Sequence, residues 1–282
     1  MQRVFLGDVQ GCADELEALL ERARSAFGRE HEVWLVGDLV NRGPASLRVL
    51  QRVRELVDAG RAHCVLGNHE LSLISVAWGL RERRPADTFG DVLDAPDAEA
   101  WIDWLRRLPL ALTARLGAQS FAMLHAAAHP DWTLADLRRI SARIEARLRA
   151  ERKAARAFLA SDPASDPDRE ALALLTSCRS IAPDGRWSTD PPAGDYEAWH
   201  RTWSARAHEY GIVYGHWSLQ GLHVATGLRG IDTGCVHEGR GRAGFLTAWI
   251  PDPSKRRPFD LPDDGFWQQR ALGRYYREAG AS

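Results

Sequence analysis

The sequence predicts an α/β fold centred on a parallel sheet covered on both faces. Three observations predict it. Short apolar runs at Val4–Leu6, Val33–Val36 and Cys64–Leu66 alternate with segments of helical periodicity. Each run leads into a glycine followed by an oxygen-bearing side chain, in the blocks Gly7-Asp8-Val9-Gln10-Gly11, Gly37-Asp38-Leu39-Val40-Asn41-Arg42-Gly43 and Gly67-Asn68-His69-Glu70. Asp8, Asp38 and Asn68 recur about every thirty residues, the length of one strand, one helix and the return. Consecutive βα units therefore set the three side chains together along one sheet edge.

The elements follow in order. After the first strand, Leu16, Leu19, Leu20 and Ala23 mark a helix. After the second, Leu47, Leu50, Val53, Leu56 and Val57 mark another, with Pro44 just before its start and Gly60 just past its end. A third helix opens at Glu70 and runs through Leu80. Arg81–Pro96, polar and twice interrupted by proline, reads as a loop, and Ala98–Leu108 as a helix with Trp101, Trp104, Leu105 and Leu108 turned toward the core. Phe121–Leu124 is a strand ending at His125. Thr133 to about Leu159 reads as one long helix with the seam Leu134, Leu137, Ile140, Ile144 and Leu148; its many arginines read as a solvated face. Ser161–Asp168, with two Asp-Pro pairs, is a break, and Trp187–Trp203 is irregular. Strands return at Ile212–Tyr214, leading into Gly215-His216-Trp217, then around Val224, around Ile231 and from Phe245 to Ile250. The expectation is a single domain over residues 1–282, with a helical insertion at about 81–108 and a helical, irregular cap at about 133–205.

The composition is that of an ordinary globular protein, 45% apolar and 27% charged over 282 residues. A net charge of −1 gives no general attraction to nucleic acid or acidic membrane. Cys12, Cys64, Cys178 and Cys235 form no Cys-x-x-Cys pair, so free thiols are expected rather than a disulfide framework or zinc knuckle. The first strand begins at once, which leaves no room for a signal peptide, and no apolar run reaches spanning length. A cytoplasmic protein with no membrane association and no obligate protein partner is the expectation.

Carboxylates gathered at one sheet edge without matching cations call for metal. A bimetallic hydrolase needs several oxygen and nitrogen ligands and one group shared by both ions. Asp8 and Gln10, two apart at a strand end, can reach one ion, and Asp38 is the natural bridge. Asn68 offers an amide oxygen to the second ion, while His125 and His216, each at a strand end, can supply nitrogen. Two divalent ions, Mn²⁺ before Co²⁺ or Mg²⁺, are the expected cofactors, since the amide oxygen of Gln10 is a harder donor than imidazole.

These blocks resemble those of the phosphoprotein-phosphatase branch of the calcineurin-like metallophosphoesterases. Within it they are most similar to the bacterial symmetrical diadenosine tetraphosphatases. Gly37-Asp-Leu-Val-Asn-Arg-Gly-Pro44, Leu93–Asp97, Trp104–Arg107, Gly215-His216-Trp217 and Asp232–Cys235 carry the likeness, which is weakest between Thr133 and Asp195. The resemblance implies layered β-sheets flanked by helices, with the dimetal site at the C-terminal ends of strands. It implies metal one on Asp8, Gln10 and Asp38, and metal two on Asp38, Asn68, His125 and His216. It makes Arg42 a phosphate-binding arginine, His69 the general acid and Arg179 a second phosphate clamp.

The implied reaction is symmetrical hydrolysis of P1,P4-bis(5'-adenosyl) tetraphosphate to two ADP by two-metal activation of water. Removal of nucleoside-tetraphosphate caps from RNA is a related activity of the same scission. Arg83, Arg84 and Arg106 could reach outer phosphates, and Trp217 could stack an adenine. The alternatives are a protein serine/threonine phosphatase on the same metal core and a degenerate binding module, for which Gln10 and Ala126-Ala127 speak. Protein phosphatases carry aspartate where this chain has Asn41, which could orient His69 through a hydrogen bond but not stabilise its cation.

Overall fold

The computed structural model describes residues 1–275. The chain begins β1 (Gln2–Leu6), α1 (Ala13–Phe27), β2 (His31–Leu35), α2 (Ser46–Asp58), β3 (Ala62–Cys64) and α3 (Asn68–Ala77), the expected βα rhythm. There follow α4 (Gly90–Leu93), α5 (Ala98–Leu105), β4 (Ala111–Leu116), β5 (Gln119–Leu124), α6 (Leu134–Arg149), α7 (Arg152–Ala160) and α8 (Pro167–Ser177). A small sheet of β6 (Ser180–Ile181), β7 (Trp187–Ser188) and β8 (Glu197–Ala198) precedes α9 (Trp199–Ser204). The chain closes with β9 (Tyr210–Tyr214), β10 (His223–Ala225), β11 (Leu228–Gly230), β12 (Asp232–Thr233), β13 (Phe245–Trp249) and β14 (Phe266–Arg270).

Two large sheets form a sandwich. The first runs β12-β13-β1-β2-β3, with β14 also on β13; the second runs β10-β11-β9-β5-β4. β1, β2 and β3 are parallel, but β13 is antiparallel to β1, so the first sheet is mixed. One of its faces meets helices and the other meets the second sheet, rather than helices on both sides. Period-two alternation on β1 shows the division: Val4 and Leu6 join the helix-side core, while Phe5 joins Trp34, Phe121, Met123, Val213 and Trp249 between the sheets. The Phe5 ring stands edge-on to Phe121 at 5.5 Å and lies 5.1 Å from Trp249. A fully apolar strand reads the same whether its second cover is a helix or a sheet, which is why sequence periodicity misassigned that face.

Three further expectations change. The segment 133–159 is two helices, because Ala150 and Glu151 adopt extended backbone. Arg106 explains the stop: its buried guanidinium donates to the carbonyls of Leu148 at 2.6 Å and Ala150 at 2.7 Å, satisfying the end of α6. Arg106 is therefore a helix cap and is not available to an outer phosphate. The loop at 81–96 contains the one-turn helix α4. The arginines of α6 do lie on a solvated face, Arg138, Arg139, Arg143 and Arg149 being exposed, and they pair within the chain; Arg147 grips Asp166 through two bonds of 2.7 Å and covers the Phe158 ring at 4.0 Å. No helix among the described residues is long and apolar enough to cross a membrane.

Candidate metal centre

The loops leaving β1, β2, β3, β5 and β9 bring all six expected ligand residues together. Asp8 and Gln10 follow β1, with both carboxylate oxygens of Asp8 accepting from the backbone N–H of His216 at 3.1 and 3.2 Å. Gly215 has to be glycine, since a Cβ there would collide with the Asp8 carboxylate. The Gln10 amide nitrogen lies 3.3 Å from Asp38 Oδ2, and His125 Nε2 lies 3.4 Å from Asp38 Oδ1. Asn68 Oδ1 sits between two imidazoles, 3.0 Å from His125 Nε2 and 2.9 Å from His216 Nδ1. Ligand atoms of Asp38, His125 and His216 all fall within 4.8 Å of one another.

The backbone here is strained. Gln10, Asp38, Asn41, Arg42 and His216 are the non-glycine residues with positive φ among those described, at 46°, 49°, 77°, 66° and 68°. Such conformations cost about 1–3 kcal/mol each and persist only where surrounding contacts impose them. Glu70 supplies much of that restraint. Buried at the start of α3, its two oxygens accept from the backbone N–H groups of Asp38, Leu39, Val40 and Gly67 at 2.8–3.2 Å. Burial and the neighbouring Asp38 push the Glu70 carboxyl up to about 7.

The donor chemistry fits divalent metal. His125 Nδ1 lies 2.8 Å from the Val36 carbonyl and His216 Nε2 3.1 Å from that of Ser177. Donation along those bonds leaves the other ring nitrogen of each with a lone pair facing Asn68 Oδ1. Acceptor then faces acceptor at about 3 Å, an arrangement that a shared cation or proton relieves. Burial and the charges of Asp232 and Asp38 push the Asp8 carboxyl well above the ordinary range. Burial also works against the Asp38 anion, but His125 and His69 hold it low. His216 is held well below the usual imidazole range by burial and by His125.

One participant was not assigned from the sequence. Asp232, at the start of β12, is buried; Oδ1 accepts from Gly234 N at 3.0 Å, while Oδ2 has no hydrogen-bond partner. Burial and Asp38 raise its carboxyl to about 6. The signal was present: Ile231-Asp232-Thr233-Gly234 is again a short strand carrying an aspartate, here two residues before a glycine. The cavity above the cluster, about 210 Å³, is also bordered by Arg42, His69, Arg179, Ser218, His237 and Arg240.

The outer residues divide. Arg42 and Arg179 both reach the cavity; Arg42 also donates to the Ala86 carbonyl at 3.0 Å and Arg179 to that of Thr189 at 2.6 Å. Trp217 instead borders an adjoining depression of about 560 Å³ with Arg179, Pro191, Leu219, Arg240 and Arg242. Arg83 and Arg84 are not among the residues lining either space. Their loop is gathered around Asp87, which takes Arg81 at 2.7 Å and the backbone N–H of Arg84 at 2.9 Å, while Arg83 donates to its carbonyl.

Asn41 does not hold His69. Its oxygen accepts from the backbone of Arg42 and Thr88, both at 2.9 Å, and its nitrogen donates to Asp87 at 3.3 Å. A short polar side chain was expected to serve the nearest catalytic group and is used up on its own loop instead. His69 Nε2 lies 3.6 Å from Asp38 Oδ2, and its buried Nδ1 has no hydrogen-bond partner among the described residues.

Buried oxygen and nitrogen donors at the strand ends of a layered sandwich, with arginines at the mouth, define a metal-dependent phosphoester hydrolase. The chain belongs to the calcineurin-like phosphoesterase family, whose model matches residues 1–165. It is 37% identical over 257 residues to the symmetrical bis(5'-nucleosyl)-tetraphosphatase of Ralstonia nicotianae, covering 86% of this chain and 88% of that one. To the protein of the same name from Vibrio cholerae it is 36% identical, with 85% and 93% covered. Among solved structures it superposes on a candidate diadenosine tetraphosphatase with a TM-score of 0.62 at 22% identity, covering 96% and 94% of the two chains. A protein serine/threonine phosphatase from Saccharomyces cerevisiae gives 0.54 at 14% identity, covering 97% and 80%. These two likenesses establish the fold alone.

The raised carboxyls make stability depend on metal and pH together. For Asp8 and Asp232 the folded pKa exceeds the unfolded one, so in metal-free protein their contribution is complete below the unfolded value. It is lost as pH rises through the folded values, about 6 for Asp232. Asp38, held low, contributes in the opposite sense and loses its share only in strong acid. A divalent cation replaces the protons, so Mn²⁺ should raise the melting temperature by several degrees more at about pH 7.5 than at about pH 5. Equal shifts by scanning calorimetry at the two pH values would contradict this.

Proposed function

We propose that this protein hydrolyses P1,P4-bis(5'-adenosyl) tetraphosphate symmetrically to two ADP. The observation that carries the reading is its likeness, across at least 85% of its length, to relatives named for that class of reaction. In this reading Asp8, Gln10 and Asp38 hold one ion, and Asp38, Asn68, His125 and His216 the second. Mn²⁺ is the proposed occupant of both sites. Bound there, the ions activate water and draw charge from the phosphate oxygens. Arg42 and Arg179 bind the outer phosphate oxygens, for which a planar guanidinium can offer two parallel donors. His69 stands beside the departing oxygen. The segment 179–203, which reaches both spaces through Arg179 and the second through Pro191, walls one nucleoside diphosphate half; no residue of the insertion at 81–108 lines either space.

The state of His69 supports an anhydride over an alkyl ester. Burial, with Arg42 and His125 adding to it, lowers its pKa against the pull of Asp38, so it is mainly neutral near pH 7. With no partner on Nδ1 among the described residues and Asn41 engaged elsewhere, little of it carries the proton that a general acid must donate. A nucleoside diphosphate leaves through an oxygen whose conjugate acid has a pKa of about 6 and needs little help. A serine alkoxide needs much more. This is the observation that disfavours a protein phosphatase on the same core.

Product analysis tests the assignment. Incubation of diadenosine tetraphosphate with the Mn²⁺-loaded protein should yield ADP alone. ATP plus AMP, or turnover of a phosphopeptide in preference, would overturn it. A second experiment addresses the metal. Gln10→His should tighten the first site roughly 10-fold or more and shift preference from Mn²⁺ toward Zn²⁺. An unchanged activity ranking across Mn²⁺, Mg²⁺, Co²⁺ and Zn²⁺ would count against Gln10 as a ligand.

A further inference from the structure

A second cluster of ligand-type side chains lies behind the catalytic loops, and no step of the hydrolysis uses it. Cys12 is the N-cap of α1, Glu15 is in its first turn, and Cys235 follows β12. Both sulfurs and a Glu15 carboxylate oxygen fall within 4.8 Å of one another, and all three residues are buried. Neither cysteine is in a disulfide.

Glu15 supplies the independent observation. It is 0% exposed. Its Oε1 is taken by two donors from the C-terminal segment, Leu272 N at 2.6 Å and Tyr275 Oη at 2.7 Å. Its Oε2 is buried without a hydrogen-bond partner, and no arginine or lysine pairs with the carboxylate among the described residues. A buried carboxylate grouped with two thiols, one of its oxygens lacking a donor and neither facing a cation, is an incomplete arrangement.

We propose that Cys12, Glu15 and Cys235 form a binding site for one thiophilic divalent cation, zinc in chemical class, separate from the dimetal centre. Two thiolates and a carboxylate are three of the four ligands of a tetrahedral zinc site. Binding expels the two thiol protons to solvent, so the filled site carries one net negative charge: two thiolates, one carboxylate and a dication. The hydrogen bonds from Tyr275 and Leu272 orient the carboxylate as outer-shell groups do in metal sites. Softness keeps the two centres apart. Thiolates select zinc, whereas the oxygen-rich catalytic set takes Mn²⁺.

The position gives the site leverage. Cys12 lies two residues beyond Gln10, and Cys235 lies between Asp232 and His237, which border the catalytic cavity. A bound ion would tie the loop after β1 to the segment after β12 and fix two walls of that cavity relative to each other.

The test uses full-length protein already loaded with Mn²⁺ and titrated with Cd²⁺. The thiolate-to-cadmium charge-transfer band is read in the ultraviolet, and metal content is measured after gel filtration. One retained Cd²⁺ per chain is expected, with the band saturating at one equivalent. Cys235→Ser should lose at least half the band and the retained ion. Glu15→Gln should keep both thiols but bind Cd²⁺ about 10-fold more weakly. If the cysteine variant does not fold, as judged by circular dichroism, Glu15→Gln decides alone. Retention with no thiolate band, a full band in Cys235→Ser, or unchanged affinity in Glu15→Gln would each overturn the site. So would loss of two titratable thiols in metal-free protein, which would mark a disulfide.

Discussion

Asp38→Asn should lower turnover of diadenosine tetraphosphate by at least ~10²–10³-fold in Mn²⁺, with the protein still folded. The backbone of Asp38 is fixed by Glu70, and its carboxylate lies against Gln10, His69 and His125. Oδ1 also accepts from the backbone N–H of His69 at 2.9 Å. An asparagine keeps one acceptor for that bond but places an N–H₂ group among side chains that already carry donors. It also removes the carboxylate charge assigned to both proposed ions. Metal content should fall with activity, because the bridging position is the one that neither ion can replace from its own ligands. A variant with more than about a tenth of wild-type turnover and full metal content would remove Asp38 from the centre.

His69→Ala should separate two kinds of substrate. General acid assistance is worth about 10²–10⁴-fold where the leaving group is basic. An alkyl phosphate monoester should lose most of that, whereas the dinucleoside tetraphosphate should lose roughly 10-fold, since ADP departs as a stabilised anion. The comparison is made by kcat/KM on both substrates with wild type and variant. Equal losses would mean that His69 acts on the transition state as a positive or hydrogen-bonding group rather than on the leaving oxygen. The absence of any partner on its Nδ1 would then need another explanation.

The βα rhythm was legible because helical and strand periodicities are local, and the strand-end ligands were legible because all but His125 sit beside a glycine. What lay behind them was not. The mixed sheet and the second layer depend on long-range pairing: β1 meets β13 more than two hundred residues away, and no window of sequence contains both. The break in α6–α7 is dictated by Arg106 from another helix, so α-helical periodicity ran straight through it. Asn41 shows the limit of reasoning from residue type. Its identity was read as a difference from protein phosphatases that would bear on His69, yet its side chain is engaged by Asp87, Thr88 and the Arg42 backbone instead. Asp232 was readable by the same strand-then-aspartate pattern as the others but stands far down the chain, outside the thirty-residue spacing. The positive φ values at Gln10 and Arg42 leave no trace in composition, because neither is a habitual left-handed type, unlike Asp38, Asn41 and His216.

Glu70 carries a consequence for how the protein breathes. One carboxylate clasps the ends of two successive strand-to-helix crossings, through three consecutive amides on one and a single amide on the other. Neither crossing can open alone without stranding charge and donors in the interior, so the four amide hydrogens of Asp38, Leu39, Val40 and Gly67 should exchange with solvent at one common rate. The small sheet around Trp187 and Glu197 lies outside this clasp, so its amides should exchange independently of those four.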